Sequence, residues 1–283
     1  MTSPPSVLTS VAQEFGRSHN FTDITFQGAG AFKETFRAVT SSKDTVALKI
    51  LQPAKCDLAR SQREIEALQR CDSPLIARLY DHGTFHSADG TNYYVSVEEY
   101  LDGGTLTQRL SPTVAPDMVR RYGQHLTEAL SHLKSLKLVH RDIKPDNIMF
   151  RAGSDVPVLV DFGLVRDLSA SSLTLTWLPQ GPGTPYYAAP EQLNNDKHLI
   201  GWRTDQFGVG VVLGICLTGQ HPFLVSGMTV PQVVAAVARR DACPAGFRAA
   251  ATAAGLSGLV KMLSPWPVQR YATPTELLSS FDL

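Results

Sequence analysis

The sequence predicts an α+β fold in two lobes: a small antiparallel β-rich N-lobe with one helix, then a larger, mainly helical C-lobe. Two observations carry this expectation. From Phe21 to Tyr100 the chain runs in short β-rich stretches bounded by Gly, Ser and Asp, the texture of antiparallel strands. After Gly103-Gly104 the apolar residues recur at helical spacing. The lobes are therefore placed at 21–101 and 102–283, behind an N-terminal arm of residues 1–20.

The elements follow in order. Within the arm, Val7–Phe15 has the pattern of a short helix. Ile24–Phe26, Phe36–Val39 and Thr45–Ile50 read as strands. Asp57 is a candidate N-cap for a helix running to Arg70, with Leu58, Ile65 and Leu68 on one stripe. Leu79–Thr84 and Tyr93–Tyr100 read as a hairpin turning at Ser87-Ala88-Asp89-Gly90. In the second lobe, Ala115–Ser135 is a long amphipathic helix and Phe207–Thr218 a buried one. Helical texture continues from Val230 to Leu283, interrupted by Pro244, Pro265 and Pro267.

Composition narrows the function classes. A chain of 283 residues with 43% apolar content can bury a large core. Lys and Arg number 26, as do Asp and Glu, so there is no electrostatic footprint for nucleic acid or an anionic membrane. The four cysteines (Cys56, Cys71, Cys216, Cys243) form no zinc-ligand spacing. The first sixteen residues lack the charged and apolar regions of a signal peptide. Phe207–Leu217 is too short to span a bilayer. The expectation is a soluble cytoplasmic protein.

The residues that carry chemistry lie in one order along the chain. His140-Arg141-Asp142-Ile143-Lys144-Pro145-Asp146-Asn147 holds three of them. Asp142 can accept a proton from a hydroxyl, Lys144 can supply a point charge, and Asn147 offers a neutral oxygen to a hard cation. The apolar run Val158-Leu159-Val160 delivers Asp161, ahead of Phe162-Gly163, 19 residues after Asp142. Upstream stand Gly28-Ala29-Gly30-Ala31-Phe32-Lys33, whose glycines let backbone N–H groups approach an anion, and Val46-Ala47-Leu48-Lys49.

Together these segments resemble the protein kinase superfamily, in particular the eukaryotic-like (Hanks-type) serine/threonine kinases. The resemblance runs from about Phe21 to Phe281 over some eight segments in kinase order. It implies transfer of the γ-phosphate of ATP to Ser or Thr hydroxyls of protein substrates, with Mg²⁺ as cofactor and Mn²⁺ as an alternative ion. Asp142 is then the base, Lys144 meets the transferring phosphate, and Asn147 and Asp161 hold metal. Lys49 binds the α- and β-phosphates and pairs with an acid on the next helix. Spacing favours Glu64 over Glu66, which lies about 200° around that helix. Gly28, Ala29 and Gly30 cover the phosphates. Lys33 stands where a third glycine is usual, either as a tolerated solvated side chain or as a second cation. Backbone groups of Glu99 and Leu101 would read the adenine edge, and Asp102 the ribose. Glu98 falls at the back of the adenine pocket, where an apolar or small hydroxyl residue is usual. Buried there, it needs a partner or a proton.

Gly183-Thr184-Pro185-Tyr186-Tyr187-Ala188-Ala189-Pro190-Glu191 resembles the end of a kinase activation segment. By the resemblance Thr184 lies beside Asp142 and Lys144, Glu191 pairs with Arg270, and Asp205 braces the catalytic loop. Ser169, Ser171, Ser172, Thr174 and Thr176 are candidates for autophosphorylation, with Arg141 as the partner of the added phosphate. Lys144 within Asp-Ile-Lys-Pro-Asp-Asn favours Ser/Thr over Tyr acceptors. A small-molecule kinase would lack the Ala-Pro-Glu segment. A non-catalytic binding relative would lose Lys49, Asp142 or Asp161, and all three are present.

Overall fold

The computed structural model describes residues 8–30, 33–51, 65–110, 112–162, 166–168 and 184–282. The chain divides into two compact units. The first holds residues 1–72 and 77–101, the second residues 73–76 and 102–283.

The first unit is a five-stranded antiparallel sheet with a helix on one face. The strands are β1 (Thr22–Ala29), β2 (Lys33–Val39), β3 (Thr45–Leu51), β4 (Leu79–His86) and β5 (Asn92–Glu99), in the order β1-β2-β3-β5-β4. Alternation explains the sheet's faces. Glu34, Phe36 and Ala38 of β2 are buried while their neighbours are half-exposed, as the two-residue repeat of a strand requires. Strand β3 is central and buried from Val46 onward. The turn before β5 closes through Gly90 N–H to the Ser87 carbonyl at 2.9 Å.

Helix α1 (Thr9–His19) covers the sheet. It runs four residues beyond the expected Val7–Phe15, and it ends where Asn20 adopts a left-handed conformation (φ 58°), a common C-terminal stop. Leu8, Val11, Ala12 and Phe15 pack with Phe36, Leu48, Ile50, Val95 and Val97 in one core. Two carboxylates tie the helix down. Glu34 accepts from the Leu8 N–H at the helix N-terminus (3.2 Å), the end that favours negative charge. Glu14 accepts from Ser87 Oγ and Ala88 N, both at 2.7 Å. Helix α2 is described over residues 65–70; Ile65 and Leu68 are buried and Glu66 is exposed.

The second unit is mainly helical. Helix α3 is Leu106–Arg109, α4 Pro116–Ser135, α5 Thr184–Tyr187, α6 Pro190–Leu193 and α7 Trp202–Thr218. Then come α8 (Val230–Ala238), α9 (Ala245–Ala253), α10 (Gly258–Met262) and α11 (Pro274–Ser279). The prolines foreseen as interruptions take positions at or before helix starts. Helix α4 opens on Pro116 and carries His132 and Lys134 in its last turn, which suits its dipole. It packs on α7 and α11. Gly123 makes the α11 end fit: a Cβ there would stand 2.4 Å from the Phe281 ring. Helix α7 is buried from Thr204 to Gly214 and apolar all round from Phe207 onward, the pattern of a core helix.

Short strands carry the loops of this unit: β6 (Leu138–Val139) pairs with β9 (Arg166–Asp167), and β7 (Ile148–Phe150) with β8 (Pro157–Leu159). The Gly103-Gly104 turn is anchored by Gly103 N to Phe150 O (2.9 Å) and Phe150 N to Gly104 O (3.0 Å). Gly103 lies so close that a Cβ would come 2.5 Å from the Arg151 carbonyl oxygen. No described helix is long and apolar enough to cross a membrane.

Candidate active site

The chemistry-bearing residues of the first unit lie on its sheet. Antiparallel pairing sets Lys49 of β3 directly opposite Ser96 of β5, with Ala47 opposite Glu98. Lys49, Ser96 and Glu98 therefore share a face. Lys49 Nζ forms an ion pair with Glu98 Oε2, and Ser96 Oγ donates to Glu98 Oε1 at 2.8 Å. Glu98 is 2% exposed, Ser96 3% and Lys49 9%. The carboxylate at the back of the expected adenine pocket thus has a partner for each oxygen. Glu64, the expected partner of Lys49, lies outside the described residues.

The glycine-rich turn joins β1 to β2. Gly28 and Ala29 pair with Thr35 and Glu34, and Gly30 N donates to the Lys33 carbonyl at 2.8 Å. Lys33 is the first residue of β2 and half-buried. At the far end of β5, Glu99 N donates to Arg78 O (2.8 Å), and Leu101 is 4% exposed.

In the second unit the loop from His140 to Asn147 is braced from three sides. Asp205, in the first turn of α7, accepts from the backbone N–H groups of His140 (2.7 Å) and Arg141 (2.8 Å). Burial raises the Asp205 pKa, against the pull of His140 and these two donors. Gln192 of α6 donates to the Arg141 carbonyl at 2.8 Å. Arg141 can thereby hold φ 71°, a left-handed conformation that costs a non-glycine residue energy and persists only when over-determined. His140 accepts from Asp142 N at Nδ1 (3.3 Å), so Nε2 carries the proton toward the Val160 carbonyl (3.1 Å). Its ring packs 4.8 Å from that of Phe162.

The Asp142 carboxylate is held by one cation and one amide. Lys144 Nζ lies 2.8 Å from Oδ2, and Asn147 Nδ2 donates to Oδ2 and to the Asp142 carbonyl, both at 2.9 Å. This leaves the Asn147 side-chain oxygen available for a cation. The Asn147 carbonyl accepts from Val160 N at 3.0 Å, which brings Asn147 beside the end of the segment carrying Asp161. Asp161 is half-buried and left-handed (φ 63°). Asn147 and Asp161 fit a divalent ion of the Mg²⁺ type, which takes one or two protein oxygens and fills its remaining positions with phosphate and water. No cluster of three or more His, Cys, Asp or Glu in a metal-holding arrangement exists among the described residues.

Asp102, expected at the ribose, accepts from Ala152 N through Oδ1 at 2.8 Å. Thr184 opens α5, and its side chain lies outside the described residues, as do Ser169, Ser171, Ser172, Thr174 and Thr176. Glu191 and Arg270 form the expected fully buried pair, two-pronged at 2.7 and 3.0 Å. Arg270 also donates to the carbonyls of Ser264 (2.9 Å) and Arg203 (2.8 Å).

Three supporting residues were not foreseen from the sequence: Ser96, Gln192 and His221. His221 donates to the Tyr186 carbonyl (2.8 Å), accepts from Phe223 N (3.2 Å), and packs its ring at a tilt of 45° against that of Tyr186, 4.4 Å away. Burial pushes its pKa down to about 4. None of the three belongs to a motif by itself; the sole signal for Ser96 was its two-residue step from Glu98.

A family model of the protein kinase domain matches residues 21–273. The chain is 32% identical over 243 residues to the serine/threonine-protein kinase PknB of Mycobacterium tuberculosis, covering 82% of this chain and 37% of that protein. It is 34% identical over 209 residues to PknD of the same organism, covering 69% of this chain and 29% of that protein. A probable myosin light chain kinase of Dictyostelium discoideum is 32% identical over 203 residues, or 69% of this chain and 62% of that one. The chain thus spans little more than a third of PknB's length. The catalytic loop, the Asp205 brace, the Glu191–Arg270 pair and these matches agree: the chain belongs to the protein kinase domain family.

Proposed function

We propose that the chain transfers the γ-phosphoryl group of ATP to serine and threonine hydroxyls of protein substrates. The observation that carries this reading is the Asp142 carboxylate, oriented by Lys144 and Asn147 on a loop clamped to Asp205. A carboxylate so held can aim and accept the proton of an incoming hydroxyl. Lys144, two residues after it, supports a Ser/Thr acceptor, as do the serine/threonine-protein kinase names of PknB and PknD. Lys49 contributes a charge to the α- and β-phosphates. Asn147 and Asp161 would hold Mg²⁺, or Mn²⁺ in its place. Bound there, the ion would neutralise the triphosphate. Glu99 and Leu101 offer backbone groups to adenine.

The test is transfer of labelled phosphate from ATP to a generic protein substrate, followed by phosphoamino-acid analysis. Label on Ser and Thr is expected, with a loss of roughly 10²–10⁴ in kcat for Asp142→Asn. Label on an aminoglycoside or choline instead, or none with wild type, overturns the reading.

The same activity is proposed to act on the chain's own segment from Ser169 to Thr176. Five hydroxyls lie there, and Arg141 precedes the base, which suits an Arg–phosphate contact. Phosphopeptide mapping of wild type and Asp142→Ala decides it: label in that segment is expected in wild type alone, and equal labelling or none in both sinks the idea.

A further inference from the structure

We propose that Glu98, braced by Ser96, is the positioning residue that fixes Lys49 for ATP. The inference rests on the reading of Lys49 as the phosphate-binding lysine and names what holds it.

The geometry follows from strand register. Lys49 sits opposite Ser96 across the β3–β5 ladder, and Glu98 is the diagonal neighbour on the same face. A diagonal pair is within reach of long side chains such as Lys and Glu. Lys49 spans that diagonal to Glu98 Oε2. The second carboxylate oxygen takes the Ser96 hydroxyl at 2.8 Å. Ser96 therefore holds the Glu98 carboxylate from the side away from the ammonium. An ammonium carries three donors, so pairing with one carboxylate oxygen leaves capacity for phosphate oxygens.

Burial makes the arrangement specific. All three residues are at most 9% exposed. Removing one partner of a buried ion pair strands the other charge. With Glu98 neutralised, the Lys49 ammonium loses the group that fixes its rotamer, and a four-carbon stem with free rotation presents its charge poorly. The partner also lies on the same sheet as the lysine. Its distance is set by ladder hydrogen bonds, so the pairing of β3 with β5 places Glu98 beside Lys49.

ATP binding by titration and steady-state kinetics on the full chain test this. Glu98→Gln is nearly isosteric, and thermal melting reports whether it folds. It should weaken ATP binding roughly tenfold, a 1.4 kcal/mol change, and raise KM for ATP more than it lowers kcat. Ser96→Ala should weaken ATP binding in the same direction by about two- to threefold, with Ser96→Thr restoring it. In a Lys49→Met background, Glu98→Gln should weaken binding no further, because Glu98 acts through Lys49. Unchanged ATP affinity in Glu98→Gln, or an equal loss in the Lys49→Met background, overturns the proposal. If Glu98→Gln does not fold, the serine series decides alone, and unchanged affinity in Ser96→Ala overturns it. If Lys49→Met binds ATP like wild type, the phosphate role of Lys49 falls too, a failure distinct from that of Glu98.

Discussion

Buried ionisable side chains do two different jobs here. Arg270 and Glu191 are fully buried, but every donor direction of the guanidinium finds an oxygen. Such a pair is costly to break because the surviving charge has no water to turn to. Arg270→Ala should destabilise the second unit by roughly 3–5 kcal/mol, read by urea unfolding. Its effect on activity should follow from unfolding, with kcat intact in the folded fraction. His221 gives a pH signature. Its folded pKa is pushed down to about 4 from an ordinary 6.5, so between those values the unfolded chain binds the extra proton. Stability from this residue is fully present above about pH 6.5 and is lost as pH falls toward 4, with a ceiling on the order of 3 kcal/mol. Unfolding free energy measured from pH 4 to 7 should rise with pH in wild type, and His221→Gln should flatten that rise.

At the scale of elements, α1 is the piece whose role exceeds its pattern. Its apolar residues join the sheet's core, while Glu34 fastens its N-terminal end to β2 and Glu14 its middle to the turn before β5. Phe15 is 6% exposed and touches the rings of Phe21 and Phe85 at 5.7 and 5.4 Å. Phe15→Ala should cost about 3–5 kcal/mol, seen as a lower Tm for the first unit by calorimetry, whereas Glu14→Gln should cost less than half of that. The amphipathic spacing of residues 7–15 foretold a helix, because apolar periodicity is local. It did not foretell the attachment, since Glu34, Ser87 and Ala88 are far apart in sequence. The strands were legible for the same local reason, while their order, with β5 between β3 and β4, needed the sheet.

For the molecule as a whole, ligand linkage reports on the proposed ATP binding. ATP with Mg²⁺ at about a hundred times its Kd should stabilise the fold by roughly 2.7 kcal/mol, measured as a rise in Tm. Chelating the metal, or changing Asn147→Ala, should remove most of that rise, since the triphosphate then lacks its counter-ion. The sequence alone carried the two-textured fold and the order of the motifs, and it singled out Asp142, Asn147, Asp161, Glu191, Asp205 and Arg270 as candidates. Each was readable because its motif is contiguous or its spacing fixed. The His140–Asn147 loop is one continuous string, and its proposed roles follow from the chemistry of its side chains. Only the tertiary structure decided which partner Glu98 takes. A buried carboxylate must find a partner, and that partner, Lys49, lies 49 residues away. It is brought alongside by a strand register that no local pattern records.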